Sequence, residues 1–241
     1  MAIAPDQIRR PRDLSQIIDG AISLYRRNFG ELLAISAVNL PGPLLIAIAS
    51  IVVSDWGTEL IVITALLYIP ILALTFIVSA AIARAIADIA DGLPADFNRA
   101  YRQVFGRLGT LVLATLRVLG ITLLLLITIV GIPFAIYLWI RWAFVTQAVV
   151  IEGANSRDAL SLSADIVKGS WWRTFGILLI VGLLVAVASG ALSMIFVLVP
   201  HEASTLLNAV VGVIVTPFGV IASTLLFFDL SSRESQDVSI A

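Results

Sequence analysis

Six long apolar runs, separated by short connectors of contrasting charge, organise this sequence. They fall at approximately 32–53, 60–82, 108–130, 133–151, 174–199 and 205–228. A bilayer core about 30 Å thick takes about 20 apolar residues of helix, so the pattern predicts six transmembrane spans. The third and fourth runs are nearly continuous. Only Val130, Gly131, Ile132 and Pro133 mark a boundary between them, and glycine with proline favours a tight hairpin there.

Shorter segments before three of the runs carry a helical period. Leu14, Ile17, Ile18, Ala21, Ile22 and Tyr25 form one apolar stripe opposite Asp13, Gln16, Ser23 and Arg27, the spacing of an amphipathic helix. Asp13 and Gln16 suit a capping pair at its start. Phe97, Ala100, Tyr101, Val104, Phe105 and Leu108 repeat that spacing, and Ser156 to Lys168 forms a third, less sharply amphipathic segment ending at Gly169, which suits a C-terminal cap. All three read as helices lying on the membrane surface. The junctions also rhyme: Phe29-Gly30 before Leu32-Leu33, Leu108-Gly109 before Leu111-Val112, and Phe175-Gly176 before Leu178-Leu179. Two readings stay open, a threefold internal repeat of one surface helix plus two spans, and chance recurrence of Gly and Leu in apolar sequence.

Charge gives the runs a direction. Arg9, Arg10, Arg12, Arg26 and Arg27 precede the first run; Arg84, Arg99, Arg102 and Arg107 surround the second connector; Arg157, Lys168 and Arg173 surround the fourth; Arg233 lies in the tail. The alternate connectors hold Asp55, Glu59, His201 and Glu202 with no Lys or Arg. Cytoplasmic loops retain basic residues, so both termini are expected inside, with residues 1–31 as an N-terminal segment and 229–241 as a C-terminal tail around one integral membrane domain. The first run follows a polar stretch rather than a few basic residues, which argues against a cleaved signal peptide.

Composition supports this reading and narrows the chemistry. With 60% hydrophobic and 13% charged residues and a mean hydropathy of +1.05, the chain lies far from the roughly 25% charged residues of soluble domains. A net charge of -1 argues against a nucleic-acid partner. There is no cysteine, which removes disulfides and thiolate sites. The single histidine, His201, is accompanied by no H-E-x-x-H helix and no G-x-S-x-G turn, and no phosphate-cradling glycine loop occurs. Asp88, Asp91 and Asp96 could hold a divalent ion, but acids beside Arg84 and Arg99 read more simply as a solvated charged connector. No enzyme, cofactor or metal site is expected.

Two arginines fall inside the runs. Arg117 lies about nine residues into the third and Arg141 about ten from the inner end of the fourth, each roughly 14 Å deep at about 1.5 Å per residue. Such a residue costs about 2.5–3.5 kcal/mol at a helix centre and needs compensation. With Asn39 and Gln147 they form a candidate inward-facing pocket for an anionic lipid group. The alternative is structural: snorkelling, pairing with Asp229 or Glu152, or donation to carbonyls freed by Pro41-Gly42-Pro43, Pro70 or Pro217. Arg99, Arg102 and Arg107 are candidate contacts for anionic headgroups or for a protein partner. Trp139 and Trp142 flank Arg141 and are candidates to stack on it, while Trp56, Trp171 and Trp172 suit the aromatic belt.

Several segments resemble a known family. Trp139, Arg141, Phe144, Glu152-Gly153, Ala159-Leu160, Ser163, Lys168-Gly169, Trp171-Trp172-Arg173, Phe175-Gly176 and Leu178-Leu179 form the most specific block. With Arg12, Leu14, Ile18, Tyr25-Arg26-Arg27-Asn28-Phe29 and Phe227-Phe228-Asp229-Leu230, they resemble the membrane domain attached to some glycerophosphoryl diester phosphodiesterases and also found alone in bacteria. That resemblance implies a six-span bacterial membrane protein; it does not imply phosphodiesterase activity, since in the fused proteins that chemistry belongs to a separate soluble domain. Where the family often has arginine soon after the aspartate, this sequence has Arg233 four residues after Asp229.

The expected architecture is therefore all-α: a polytopic membrane protein of six spans with two or three amphipathic helices on the cytoplasmic side. The expected function is a non-enzymatic, lipid-associating or partner-organising membrane module, with membrane phospholipids as partners and a protein at the cytoplasmic face as a further candidate. A small transporter or flippase-like carrier and an accessory subunit of a separate lipid enzyme are the alternatives.

Overall fold

A computed structural model describes residue 9 and residues 11–52, 58–196 and 201–240. Regular structure among them is entirely helical: α1 (Leu14–Arg27), α2 (Phe29–Ala37), α3 (Pro41–Val52), α4 (Thr58–Ala90), α5 (Phe97–Phe105), α6 (Leu108–Leu126), α7 (Gly131–Arg141), α8 (Val145–Val150), α9 (Ser156–Val167), α10 (Trp171–Met194) and α11 (His201–Ile240). Six stretches are long and apolar enough to cross a bilayer: Phe29–Ile46, Pro70–Ala90, Leu108–Leu126, Gly131–Val150, Trp171–Met194 and Leu206–Ser235. The order of one short helix followed by an antiparallel hairpin occurs three times, as α1 then α2/α3 with α4, α5 then α6 with α7/α8, and α9 then α10 with α11.

Two of the spans are broken, each for an identifiable reason. Span one stops at Ala37 and restarts at Pro41. Pro41 has no N–H to return to the Ala37 carbonyl, which instead accepts from the Leu40 N–H at 3.0 Å. Span four breaks at Trp142–Phe144, where no proline or glycine stands. The Ser163 hydroxyl of α9 takes over there, donating to the Arg141 carbonyl at 2.8 Å and accepting from the Phe144 N–H at 3.2 Å. Pro70 and Pro217, by contrast, sit within uninterrupted helices.

The turn between the third and fourth spans comes a few residues earlier than the glycine and proline suggest. α6 ends at Leu126, and Gly131 opens α7, its N–H held by Thr128 Oγ1 at 3.0 Å. A Cβ at Gly131 would lie 1.8 Å from the Leu125 carbonyl oxygen, so the closeness of this turn requires glycine. The tip is almost bare: Ile127, Ile129 and Val130 are at least three-quarters exposed, as expected of side chains solvated by lipid.

The densest packing lies at the arginine-rich end. α4 and α11 continue beyond residues 82 and 228, and there α4 is buried almost all round through Ala80, Ala81, Ala83, Ala85, Ile86 and Ala87. Alanine at these positions allows neighbouring backbones to approach closely. The three short helices form as the periodicity indicates, yet their apolar stripes turn inward. Ile17, Ala21 and Leu24 of α1, Ala100 and Val104 of α5, and Ala159, Ile166 and Val167 of α9 all join the protein core. α1 runs antiparallel to α11, with Arg12 beside Asp229 and the Tyr25 hydroxyl donating to the Ile214 carbonyl at 2.6 Å. Both end segments of the described chain therefore meet at one end of the bundle. Asp55 and Trp56 lie outside the described residues, as do the side chains of Glu59, His201 and Glu202.

Candidate lipid-facing site

α4 and α6 do not close on each other. α8 packs against both, and the space above it is an apolar groove of about 460 Å³ lined by Leu72, Ala73, Phe76 and Ile77 of α4, by Leu108, Leu111, Val112, Thr115, Leu116 and Leu119 of α6, and by Thr146 of α8. Leu72, Phe76, Val112 and Leu116 are each about half exposed, so the groove opens sideways toward the hydrocarbon region. Among the described residues its only hydroxyls are those of Thr115 and Thr146, a surface suited to acyl chains.

A basic cavity of about 380 Å³ is formed by Arg84, Arg102, Gln103, Gly106, Arg107, Val150 and Ile151. Arg107 directly precedes Leu108 of the groove, and Val150 of the cavity follows Thr146 of the groove by about one turn of α8, so this cavity, the polar mouth, neighbours the apolar wall at both places. The last carbonyls of a helix have no partner within it, and those of α8 draw two of these arginines inward. Arg84 Nη1 donates to the Val150 carbonyl at 3.4 Å and Arg107 Nη1 to the Val149 carbonyl at 3.5 Å. Arg84 also donates to Asp88 Oδ1 through Nη2 at 2.6 Å and Nε at 3.1 Å. Arg107 lies flat against Gly153, whose φ is +74°; a Cβ there would stand 2.8 Å from Arg107 Nη2. Sequence reasoning singled out Arg102 and Arg107 but missed Arg84, whose i,i+4 spacing to Asp88 was the available signal.

Arg99 belongs elsewhere. Its Nη1 donates to the Pro94 carbonyl at 3.4 Å and stands 3.9 Å from Asp88 Oδ2. The connector acids are likewise engaged rather than merely solvated. Asp88 is fully buried against Arg84, Asp91 pairs with Arg9 at 2.9 Å, and Asp96 caps α5 by accepting from the Arg99 N–H at 2.6 Å. No group of three or more potential metal-ligating side chains occurs among the described residues.

The four residues considered for an inward pocket are each given a separate partner. Arg117 Nη1 donates to Ser156 Oγ at 2.6 Å at the start of α9, and the Arg141 guanidinium lies 5.8 Å from the centre of the Tyr137 ring. Asn39 Oδ1 accepts from the Thr75 hydroxyl at 3.2 Å, and Gln147 Nε2 donates to Ser223 Oγ at 3.3 Å. The Arg141–Tyr137 contact lies within α7, while the other three join separate segments of the fold, and the groove and its basic mouth are lined by none of the four. Tyr137, rather than Trp139 or Trp142, supplies the ring for Arg141. Trp139 and Trp172 are largely exposed, while Trp171 stacks on Phe175 and its Nε1 donates to the Tyr137 carbonyl at 3.1 Å.

Nor does Asp229 pair with Arg117 or Arg141. It is fully buried and accepts from Arg173 Nη1 at 2.5 Å, the Arg12 N–H at 2.6 Å and Arg233 Nε at 2.9 Å. The four-residue spacing brings Arg233 back over Asp229 on one face of α11. Arg173 Nη2 also reaches the Arg12 carbonyl at 2.6 Å, so one carboxylate ties α10, α11 and the segment leading into α1. This is a structural hub with no open face toward the groove. Comparisons of the chain with protein-family models, with curated proteins and with solved structures found no match.

Proposed function

We propose that this protein is a non-enzymatic membrane module that holds phospholipid in the groove between α4 and α6, with its arginine-rich end on the cytoplasmic side of a bacterial inner membrane. The observation that carries the reading is the groove itself, apolar and laterally open, with a cluster of arginines next to its Leu108 end. An acyl chain matches its wall and a phosphate matches its mouth. The orientation follows from the concentration of Lys and Arg at that end. The resemblance to membrane domains found with glycerophosphoryl diester phosphodiesterases agrees with a phospholipid-linked role by analogy.

The test is retention of lipid. Native mass spectrometry of the protein extracted in mild detergent is expected to show bound phospholipid. Ala73→Trp combined with Leu116→Trp, which fills the groove from both walls, is expected to reduce it at least severalfold. Unchanged lipid in a correctly folded double variant would remove the reading, and a co-purifying protein in place of lipid would favour a partner-organising role.

A further inference from the structure

We infer that the groove selects an anionic glycerophospholipid, with Arg102 and Arg107 holding its phosphate; this rests on the lipid-binding reading above and assigns the headgroup class. The argument is one of charge balance at the mouth. Arg84 is matched by Asp88 at 2.6 Å, with Asp91 a further 3.9 Å contact. Arg102 and Arg107 have no carboxylate partner among the described residues, and both are exposed. The mouth therefore carries two cations whose charge the protein leaves unbalanced.

Their placement is specific. Arg107 is oriented by the Val149 carbonyl and by the flat surface of Gly153, and it immediately precedes Leu108, a residue of the apolar wall. Arg102 enters the same cavity from α5, one and a half turns earlier in the chain. A phosphodiester bridging the two guanidiniums would send its acyl chains upward along Leu108, Leu111 and Val112. Zwitterionic lipids carry an ammonium group that the arginines repel, whereas a lipid whose only charge is its phosphate offers oxygens to both guanidiniums and offsets one of their two charges. Guanidinium forks suit phosphate oxygens geometrically as well as electrostatically.

Juxtamembrane basic residues each contribute about 1 kcal/mol of attraction to anionic lipid, so two together correspond to roughly a tenfold to thirtyfold preference. The experiment places the full chain in nanodiscs of phosphatidylcholine doped with phosphatidylglycerol. Mass spectrometry then measures the enrichment of phosphatidylglycerol in the lipid that stays bound on transfer to detergent. Wild type is expected to enrich it about tenfold or more, Arg102→Gln with Arg107→Gln to bring the ratio near one, and Arg107→Lys to keep part of the enrichment. Arg157→Gln with Lys168→Gln removes equal charge from exposed positions at the two ends of α9 and is expected to leave the ratio unchanged. An equal loss in that control, or no loss in the mouth variant, would overturn the headgroup assignment while leaving lipid retention in the groove standing. Absence of retained lipid of either kind would instead remove the groove reading itself.

Discussion

Arg173 and Asp229 meet at 2.5 Å across the α10–α11 hairpin, and the same carboxylate receives the Arg12 backbone N–H at 2.6 Å from the opposite end of the chain. Asp229 is fully buried, while Arg173 and Arg233 keep about a third of their side-chain surface. Removing the carboxylate strands donors that were arranged around it, and breaking such a pair costs about 3–5 kcal/mol when both partners are buried. With partly exposed arginines, Asp229→Ala is expected near or below the lower end, about 2–3 kcal/mol. Detergent-unfolding midpoints followed by circular dichroism would measure it; loss of protection of the segment before α1 in limited proteolysis would localise it.

A second prediction concerns Tyr101. Its hydroxyl donates to the Ile35 carbonyl at 2.8 Å, linking α5 to α2, and burial raises its pKa above the ordinary phenol value of 10.0. Tyr25, which joins α1 to α11, is raised in the same direction by the same cause. Both groups are neutral when protonated, so the folded state holds its protons where the unfolded chain begins to release them. Stability from this source is fully present below about pH 10 and declines as pH rises beyond it. Tyr101→Phe is expected to lose about 1 kcal/mol at neutral pH and to flatten part of that alkaline decline. A decline of wild-type slope in Tyr101→Phe together with Tyr25→Phe would contradict the assignment.

The closeness of α3 and α4 supplies a third. A Cβ at Gly42 would sit 2.5 Å from Ile71 Cγ1 and 3.2 Å from its Cδ1, so the two helices touch where span one restarts. Gly42→Ala is expected to destabilise by about 1–3 kcal/mol through overpacking. Combining it with Ile71→Ala should recover much of the loss, a coupling that a double-mutant cycle would read directly.

Arg117 gives a fourth expectation. Its 2.6 Å hydrogen bond to Ser156 offers a structural role, worth about 1.5–3 kcal/mol for a charged donor. Arg117→Gln and Ser156→Ala should therefore be strongly non-additive in stability, and Arg117→Gln should leave the phospholipid content unchanged. Lipid loss without a stability change would return Arg117 to the binding site.

The positions of the helices were legible because each signal was local. Apolar run length marked the six spans, the stripes of Leu14 to Tyr25 and Phe97 to Leu108 marked two of the short helices, and Pro41 marked the break in span one. The break at Trp142–Phe144 was not legible, since its cause is Ser163 of another helix. The candidate site was partly legible: Arg102 and Arg107 line the basic cavity, but nothing local distinguishes them from Arg99, which turns toward Pro94 and Asp88 instead.

By itself, then, the sequence determined how often the chain becomes long, apolar helix, which connectors hold its basic residues and where its amphipathic stripes begin, because desolvation of backbone and side chains acts residue by residue along the chain. Tertiary structure alone decided that those stripes face protein rather than lipid, that Asp229 gathers Arg12, Arg173 and Arg233, and that α8 keeps α4 and α6 apart to leave a groove. Each of these depends on which surfaces meet in three dimensions, and residues as far apart as Arg12 and Asp229 carry no mutual signal until the chain has folded.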